Sequence, residues 1–385
     1  MIEIKDKAKC NGCHACVNVC PTDCIGMVRD SEGFLYPKAD SDKCVECKKC
    51  EEVCPVLNRR YENPASRQEG FAAFALDETL RLQSSSGGIF SLLCEAVLDM
   101  GGTVFGAAMT PDFKEVRHIS VNNKEELALL RGSKYLQSTV GSCFKEAKEL
   151  LLSGKPVLFS GTPCQIGGLY AYLGTDFDKL YTVDIICHGV PSPMVWDKYT
   201  DFLKSERKAE ISDVFFRNKQ SGWKTYSLSV GFSDGTRYLK KFREDLFMKG
   251  FLADIYLRPS CYECGFKTRL RQSDVTLADF WGIQDIMPEL DDDRGASFVW
   301  LHSEKGEKLF FSAEGKMNYK ELDAEAAILR NSASIKAAQI PPERAGFFSA
   351  IKTSPVDKSI LKYTAEPAGM RIKKKLSRIK HRLIK

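Results

Sequence analysis

At 385 residues the chain exceeds what one hydrophobic core usually organises, and 43% hydrophobic with 28% charged residues is an ordinary globular mix. The net charge of +5 does not mark a nucleic-acid binder: GMRIKKKLSRIKHRLIK, residues 369–385, holds eight Lys or Arg and no acid, so the rest of the chain is net acidic. No apolar run approaches a membrane span and MIEIKDKAKCNGC lacks a signal-peptide core, so a cytoplasmic protein is expected, whose fifteen cysteines serve metal or catalysis rather than disulfides.

Residues 10–21 read CNGCHACVNVCP and residues 44–55 read CVECKKCEEVCP. Both fit C-x2-C-x2-C-x3-C-P, the spacing in which three cysteines of a loop grip one iron-sulfur cube and the fourth serves the other. One 4Fe-4S cluster is therefore expected on Cys10, Cys13, Cys16 and Cys54, and a second on Cys44, Cys47, Cys50 and Cys20. CIGMVRD and FLYP flank a turn at Ser31 to Gly33 and predict a short hairpin; Cys24 reads as packing and His14 as exposed filler. The expected units are a two-cluster ferredoxin domain over 1–58, a polar linker over 59–69, and a larger domain over 70–350 with parts 70–155 and 156–350. A basic amphipathic tail is expected over 351–385.

From Gly70 strand and helix signals alternate: FAAFAL, then GIFSLLCEAVLDM as a helix, GGTVFGAAM, CFKEAKELLLS as a helix, PVLFS, a helix through QIGGLYAYL, and YTVDII. The fold class is thus α+β followed by α/β: a bacterial-type dicluster ferredoxin fold, then an α/β layered domain with functional groups at strand ends. Three loops stand out: QSSSGG (83–88) entering a helix, RGSKYLQS (131–138), and GTPCQ, which delivers Cys164 to a helix start. Cys187 in ICHG and the pair Cys261 and Cys264 in RPSCYECGFK complete four thiolates with Cys164. Four thiolates suit zinc and 4Fe-4S alike, and electron-carrying company in the same chain favours the latter. Cys94 and Cys143 read as helix packing. After Leu290, DDDRGASFVWLHSEKGEKLF predicts a strand, a turn and a helix.

In this order SSSGG, GSKYLQS, GTPCQ, CHG, CYECGF and LADFWG, behind a double ferredoxin motif, resemble the coenzyme F420 hydrogenase/dehydrogenase beta-subunit family over residues 8–290. The resemblance implies an iron-sulfur flavoprotein oxidoreductase with FAD and a third 4Fe-4S cluster on Cys164, Cys187, Cys261 and Cys264. It implies FAD contacts from Ser85, Ser86, Gly87, Gly88, Lys134, Tyr135, Ser138, Gly161 and Thr162. Lys134, stabilising reduced flavin, and His188, beside a cluster ligand, are the expected catalytic groups. The electron donor is a coenzyme F420-like deazaflavin or another reductant, with Arg217, Lys219 and Lys224, or Arg269 and Arg271, as candidate cations for its acidic tail. The alternative is an electron-transfer subunit that lacks a substrate of its own and feeds a partner reductase or a membrane or polysaccharide-assembly system. Partners are a redox protein or a small-molecule donor, not nucleic acid. The tail reads either as a helix for peripheral contact with the inner face of a membrane or a partner, or as a solvated end.

Overall fold

The computed structural model describes residues 1–58 and 68–365. Most of the expected linker, and the basic stretch 369–385, lie outside them.

The two cysteine motifs fold as a structural duplicate. Gly12 and Glu46, 34 residues apart, both have left-handed φ (66° and 50°), as do His14 and Lys48 (67° and 59°), each of which precedes a short helix, Ala15–Val19 and Lys49–Glu52. Left-handed turns at matched positions coil each loop back on itself, so its three cysteines converge. Non-glycine residues accept that conformation at a cost of about 1 kcal/mol each. Strands β1 (Ile25–Arg29) and β2 (Leu35–Ala39) form the expected antiparallel hairpin. Asp30 shapes its turn, its carboxylate accepting from the amides of Glu32 and Phe34.

The larger body holds a nine-stranded mixed sheet built from β3 (Glu69–Ala75), β4 (Thr103–Met109), β5 (Val116–Val121), β6 (Ser138–Thr139), β7 (Val157–Gly161) and β8 (Leu180–Ile185), with three later strands. An antiparallel trio, β9 (Ile211–Asn218), β10 (Ser227–Phe232) and β11 (Arg237–Lys241), stands apart before β12 (Val275–Asp279), β13 (Ser297–Leu301) and β14 (Met317–Asp323) return to the large sheet. Its order is β14-β3-β13-β12-β8-β7-β4-β5-β6. Neighbours β4, β7, β8 and β12 run parallel, as helical crossovers require, while β13, β3 and β14 add antiparallel pairs. Alternation along β7 serves two cores. Leu158 packs in the core with the Ile89–Asp99 and Glu304–Phe311 helices, while Val157 and Phe159 face the core with the Cys143–Leu152 and Pro163–Leu173 helices.

The front module is not a bead on a string. Phe34 and Tyr36 from its hairpin join a core with Trp196, Phe216, Phe247 and Tyr256 of the large body. At the hairpin turn, Gly33 lies so close to the start of the Pro193–Arg207 helix that a Cβ would sit 2.7 Å from the Met194 amide. Arg344 pairs with Glu32 across the same seam, and Ser192 donates to the Glu32 carbonyl. Two boundaries shift. Gln68 accepts from the Trp300 indole and Glu69 opens β3, so ordered pairing begins inside the expected linker. At the start of the expected basic amphipathic tail, Ile351, Val356 and Ile360 are buried in the core that holds Tyr256 and Phe347, so the large body extends past 350.

Candidate functional site

In the front module Cys13 and Cys16 feel each other and the Cys10 and Cys54 thiols electrostatically, which brings that expected set together. Cys20, Cys44, Cys47 and Cys50 line one cavity of about 20 Å³. Cys24 shares that cavity, with its sulfur 3.4 Å from Cys20 Sγ and its amide donating to the same sulfur. Cys24 is therefore packed directly against an expected ligand. His14 is a correction: it is 4% exposed, and burial holds its imidazole down at about 4.

The third set assembles from three regions of chain. Cys164 stands in the first turn of the Pro163–Leu173 helix, right after β7. Thr162 and Gln165 close a capping box there, and Thr162 Oγ1 lies 3.2 Å from Cys164 Sγ. Cys187 follows β8, and Cys261 ends a single helical turn, Pro259–Cys261, three residues before Cys264. All four line one cavity of about 40 Å³, several times what a single water needs. The Val190 amide donates to Cys261 Sγ at 3.4 Å. Burial drives the Cys164, Cys187 and Cys261 thiols up, Cys187 to about 11 and Cys261 to about 12, so thiolates there call for compensating positive charge.

That charge is at hand. Lys267, Arg258 and Arg271 line the same cavity. Arg271 is 2% exposed, meets Asp184 only at 3.5 Å, and its Nε and Nη1 have no hydrogen-bond partner. Its Nη2 donates to the Ser334 carbonyl, and a buried guanidinium with two N–H groups unmet beside four thiols fits an anionic group in the cavity.

The residues expected to touch FAD fall in one strip, several of them already engaged. The two loops meet where the Ser133 amide donates to Ser85 Oγ at 2.7 Å and Arg131 Nη1 donates to Gln83 Oε1 at 2.7 Å. Ser138 and Thr162 line the cysteine cavity, bridged by Gln165, whose Nε2 donates to the Ser138 carbonyl while its Oε1 accepts from the Thr162 amide. Gly161 abuts the Gln165 side chain. Ser86 donates to the Ala296 carbonyl and the Gly87 amide to Ser297 Oγ; a Cβ on Gly87 would lie 2.3 Å from the Ala73 carbonyl. Gly87 thus serves close packing on β3, and Gly88, at φ 89°, starts the Ile89–Asp99 helix. Lys134 Nζ donates to the Leu129 and Arg131 carbonyls at a helix end, and burial lowers its ammonium to about 7. Tyr135 packs on Phe251, and the His188 ring meets the same Phe251 edge-on, with ring centroids 4.9 and 5.0 Å from it. His188 Nε2 lies 2.6 Å from Asp254 Oδ1, and Asp254 takes a left-handed φ of 60°.

The expected cations are spent elsewhere. Arg217 is buried against Asp279 and the Tyr226 ring, and Lys219 donates to the carbonyls of Arg81, Ser86 and Arg294. Lys224 pairs with Asp291 and Arg269 with Glu325. Sequence reasoning passed over Arg258, Gln137 and Gln165. The signal for Arg258 was its place in RPSC, three residues ahead of an expected ligand.

Compared with known proteins, residues 9–58 match the 4Fe-4S dicluster domain, and residues 154–325 match the C terminus of the coenzyme F420 hydrogenase/dehydrogenase beta subunit. No curated protein matches the chain. Among solved structures, a chain of the F420-reducing [NiFe] hydrogenase complex from Methanosarcina barkeri, in a xenon derivative, is similar at a TM-score of 0.47 and 16% identity, covering 71% of this chain and 93% of that chain. Among the described residues no helix is long and apolar enough to cross a membrane.

Proposed function

We propose, for a chain that belongs to the coenzyme F420 hydrogenase/dehydrogenase beta-subunit family and carries a 4Fe-4S dicluster domain at its front, that a third 4Fe-4S cluster sits on Cys164, Cys187, Cys261 and Cys264 and exchanges electrons with an adjacent FAD. The observation that carries this reading is the single cavity lined by those four cysteines, with the buried guanidinium of Arg271, two of its nitrogens without a hydrogen bond, in its wall. FAD, when bound, supplies the conversion between a hydride and single electrons.

The chain's own residues supply the rest. Arg271 and Lys267 offset the negative charge of four thiolates, and the Val190 amide hydrogen-bonds one of them. Gln165 holds the Ser138 and Thr162 backbones together, so the strip carrying the flavin contacts cannot drift from Cys164. With Ser86, Gly87, Lys134 and Tyr135 engaged by other groups of the protein, the contacts narrow to Ser85, Gly88, Ser138, Gly161 and Thr162. His188, its Nε2 held by Asp254, presents Nδ1 as the atom that would hold or pass a proton. This histidine is oriented from the side, as a proton-handling imidazole requires.

A second reading, an electron-transfer subunit whose substrate chemistry lies in a partner protein, is favoured by one observation. All five cations expected to greet an acidic donor have partners within the chain. Anaerobic purification with iron, zinc and flavin analysis tests the first reading: about twelve iron atoms per chain are expected, and Cys264→Ala should remove about four of them. About eight iron atoms plus one zinc, or a chain without flavin, refutes it. Oxidation of deazaflavin, NADH or NADPH by the isolated chain separates it from the subunit reading.

A further inference from the structure

Arg258 is 1% exposed, yet among the described residues it pairs with no carboxylate. Its guanidinium reaches out of the large body into the front module. Nε donates to the Cys10 carbonyl at 2.8 Å, Nη2 to the Leu35 carbonyl at 2.8 Å, and Nη1 to Gln137 Oε1 at 2.8 Å. Nη2 also lies 3.6 Å from Cys10 Sγ. Gln137 completes the clamp by donating to the Asn11 carbonyl at 2.9 Å. The rings of Tyr36 and Phe34 lie 4.4 and 5.6 Å from the guanidinium carbon.

A buried guanidinium without a counter-ion costs several kcal/mol unless an anion compensates it. The polar contacts within reach are neutral carbonyls and an amide; the remaining one is a cysteine sulfur. When iron turns Cys10 into a thiolate ligand, that sulfur becomes the missing counter-charge. The same side chain belongs to the wall of the four-cysteine cavity, and its own residue stands three positions before Cys261.

We infer that Arg258 is the counter-ion of the cluster held by Cys10, Cys13, Cys16 and Cys54, a positioning residue that turns this cluster toward the large body and makes it easier to reduce than its neighbour. The direction follows from charge. Reduction adds one electron, hence one negative charge, to the cluster, and a fixed cation at its ligand favours the more negative form. The cavity of the cluster expected on Cys44, Cys47, Cys50 and Cys20 has Lys48 and Met1 in its wall, but both are exposed, as is Cys47, so solvent screens their charge where Arg258 is buried. The module is thereby polarised, with the outward cluster as its solvent-side terminal and the inward cluster as the one that trades electrons with the large body. The inward half of this statement rests on the proposed third cluster; the charge compensation does not.

The test is a potentiometric titration of the anaerobically purified full chain with dithionite, followed by electron paramagnetic resonance, with iron content as control. In Arg258→Gln, at the poise where one front-module cluster is half reduced in the parent, its reduced-to-oxidised ratio should fall about tenfold or more, 59 mV for one electron, while the other cluster moves less than about twofold. Arg258→Lys, which keeps the charge, should recover most of the shift. Unchanged ratios, or equal shifts in both clusters, overturn the inference. If Arg258→Gln does not retain iron, Gln137→Leu carries the test, because it frees the guanidinium without removing its charge. A selective fall of about threefold in one cluster supports the inference, and no change overturns it. A chain with only front-module iron that still shows the selective shift would sink the third cluster and leave Arg258 standing.

Discussion

Gly168 lies four residues, about 6 Å of helix, beyond Cys164, and a Cβ built there would stand 2.9 Å from Cys13 Cβ and 3.0 Å from Cys13 Sγ. It is the point where the first cysteine loop touches the helix that carries Cys164. Carbon atoms settle at about 3.5 Å or more, so Gly168→Ala must push the Cys13 loop back by roughly half an ångström. Alanine in a helix interior gains about 1 kcal/mol over glycine, whereas overpacking a filled seam costs about 1–3 kcal/mol. Phe144, 3.5 Å from the new methyl, blocks relaxation sideways. The overpacking term should win, giving a net loss of up to about 2 kcal/mol. Denaturant unfolding reads that loss, and pulsed electron resonance of the reduced protein reads a weakened coupling between the front module and the large body. A variant about 1 kcal/mol more stable than the parent, with unaltered coupling, would refute the close approach.

Two further outcomes follow from buried groups. His118 accepts at Nδ1 from Ser138 and donates at Nε2 to the Ser160 carbonyl, and burial lowers it to about 4, with Lys134 adding a smaller push against the bond to Ser160. Above pH 6.5 it is neutral folded and unfolded. As pH falls from 6.5 toward 4 the unfolded chain takes the proton first, and about 3 kcal/mol of stability drains away. His118→Gln should flatten that slope in stability measured against pH, and parallel curves would show that burial is not the cause. Lys219→Met leaves the carbonyls of Arg81, Ser86 and Arg294 without their donor, which should cost about 2 kcal/mol and speed proteolysis of the 83–88 loop. A loss below about 0.5 kcal/mol would show that water replaces the ammonium.

The front module was legible because its chemistry is local. Ligand spacing, the matched turns and the hairpin are all set by residues a few positions apart, and the repeat marks itself in the letters. Most strands and helices from Gly70 to Ile186 were legible for the same reason, since apolar period and loop composition are short-range signals, but β5, β6 and the short helices at Glu78–Gln83 and Leu127–Leu130 were not read. The antiparallel trio β9 to β11 escaped because its strands lie in segments that read as charged surface, FFRNKQ above all, whose Arg217 and Lys219 turn out to be buried cations. Burial of a charge depends on a partner far along the chain, such as Asp279 for Arg217, and no local pattern announces it.

By itself the sequence singled out the candidates for binding iron: twelve cysteines, their grouping by loop, and the strand ends that present Cys164 and Cys187. Only the tertiary structure decided which charges stand beside them. Arg258 meets Cys10 across 248 residues of chain, and Arg271, which reads as one more surface cation, closes the wall of the third cavity. The physical reason is that coordination spacing is written in backbone geometry over one or two turns, while electrostatic compensation arises from packing, where separation along the chain counts for nothing and separation in space for everything.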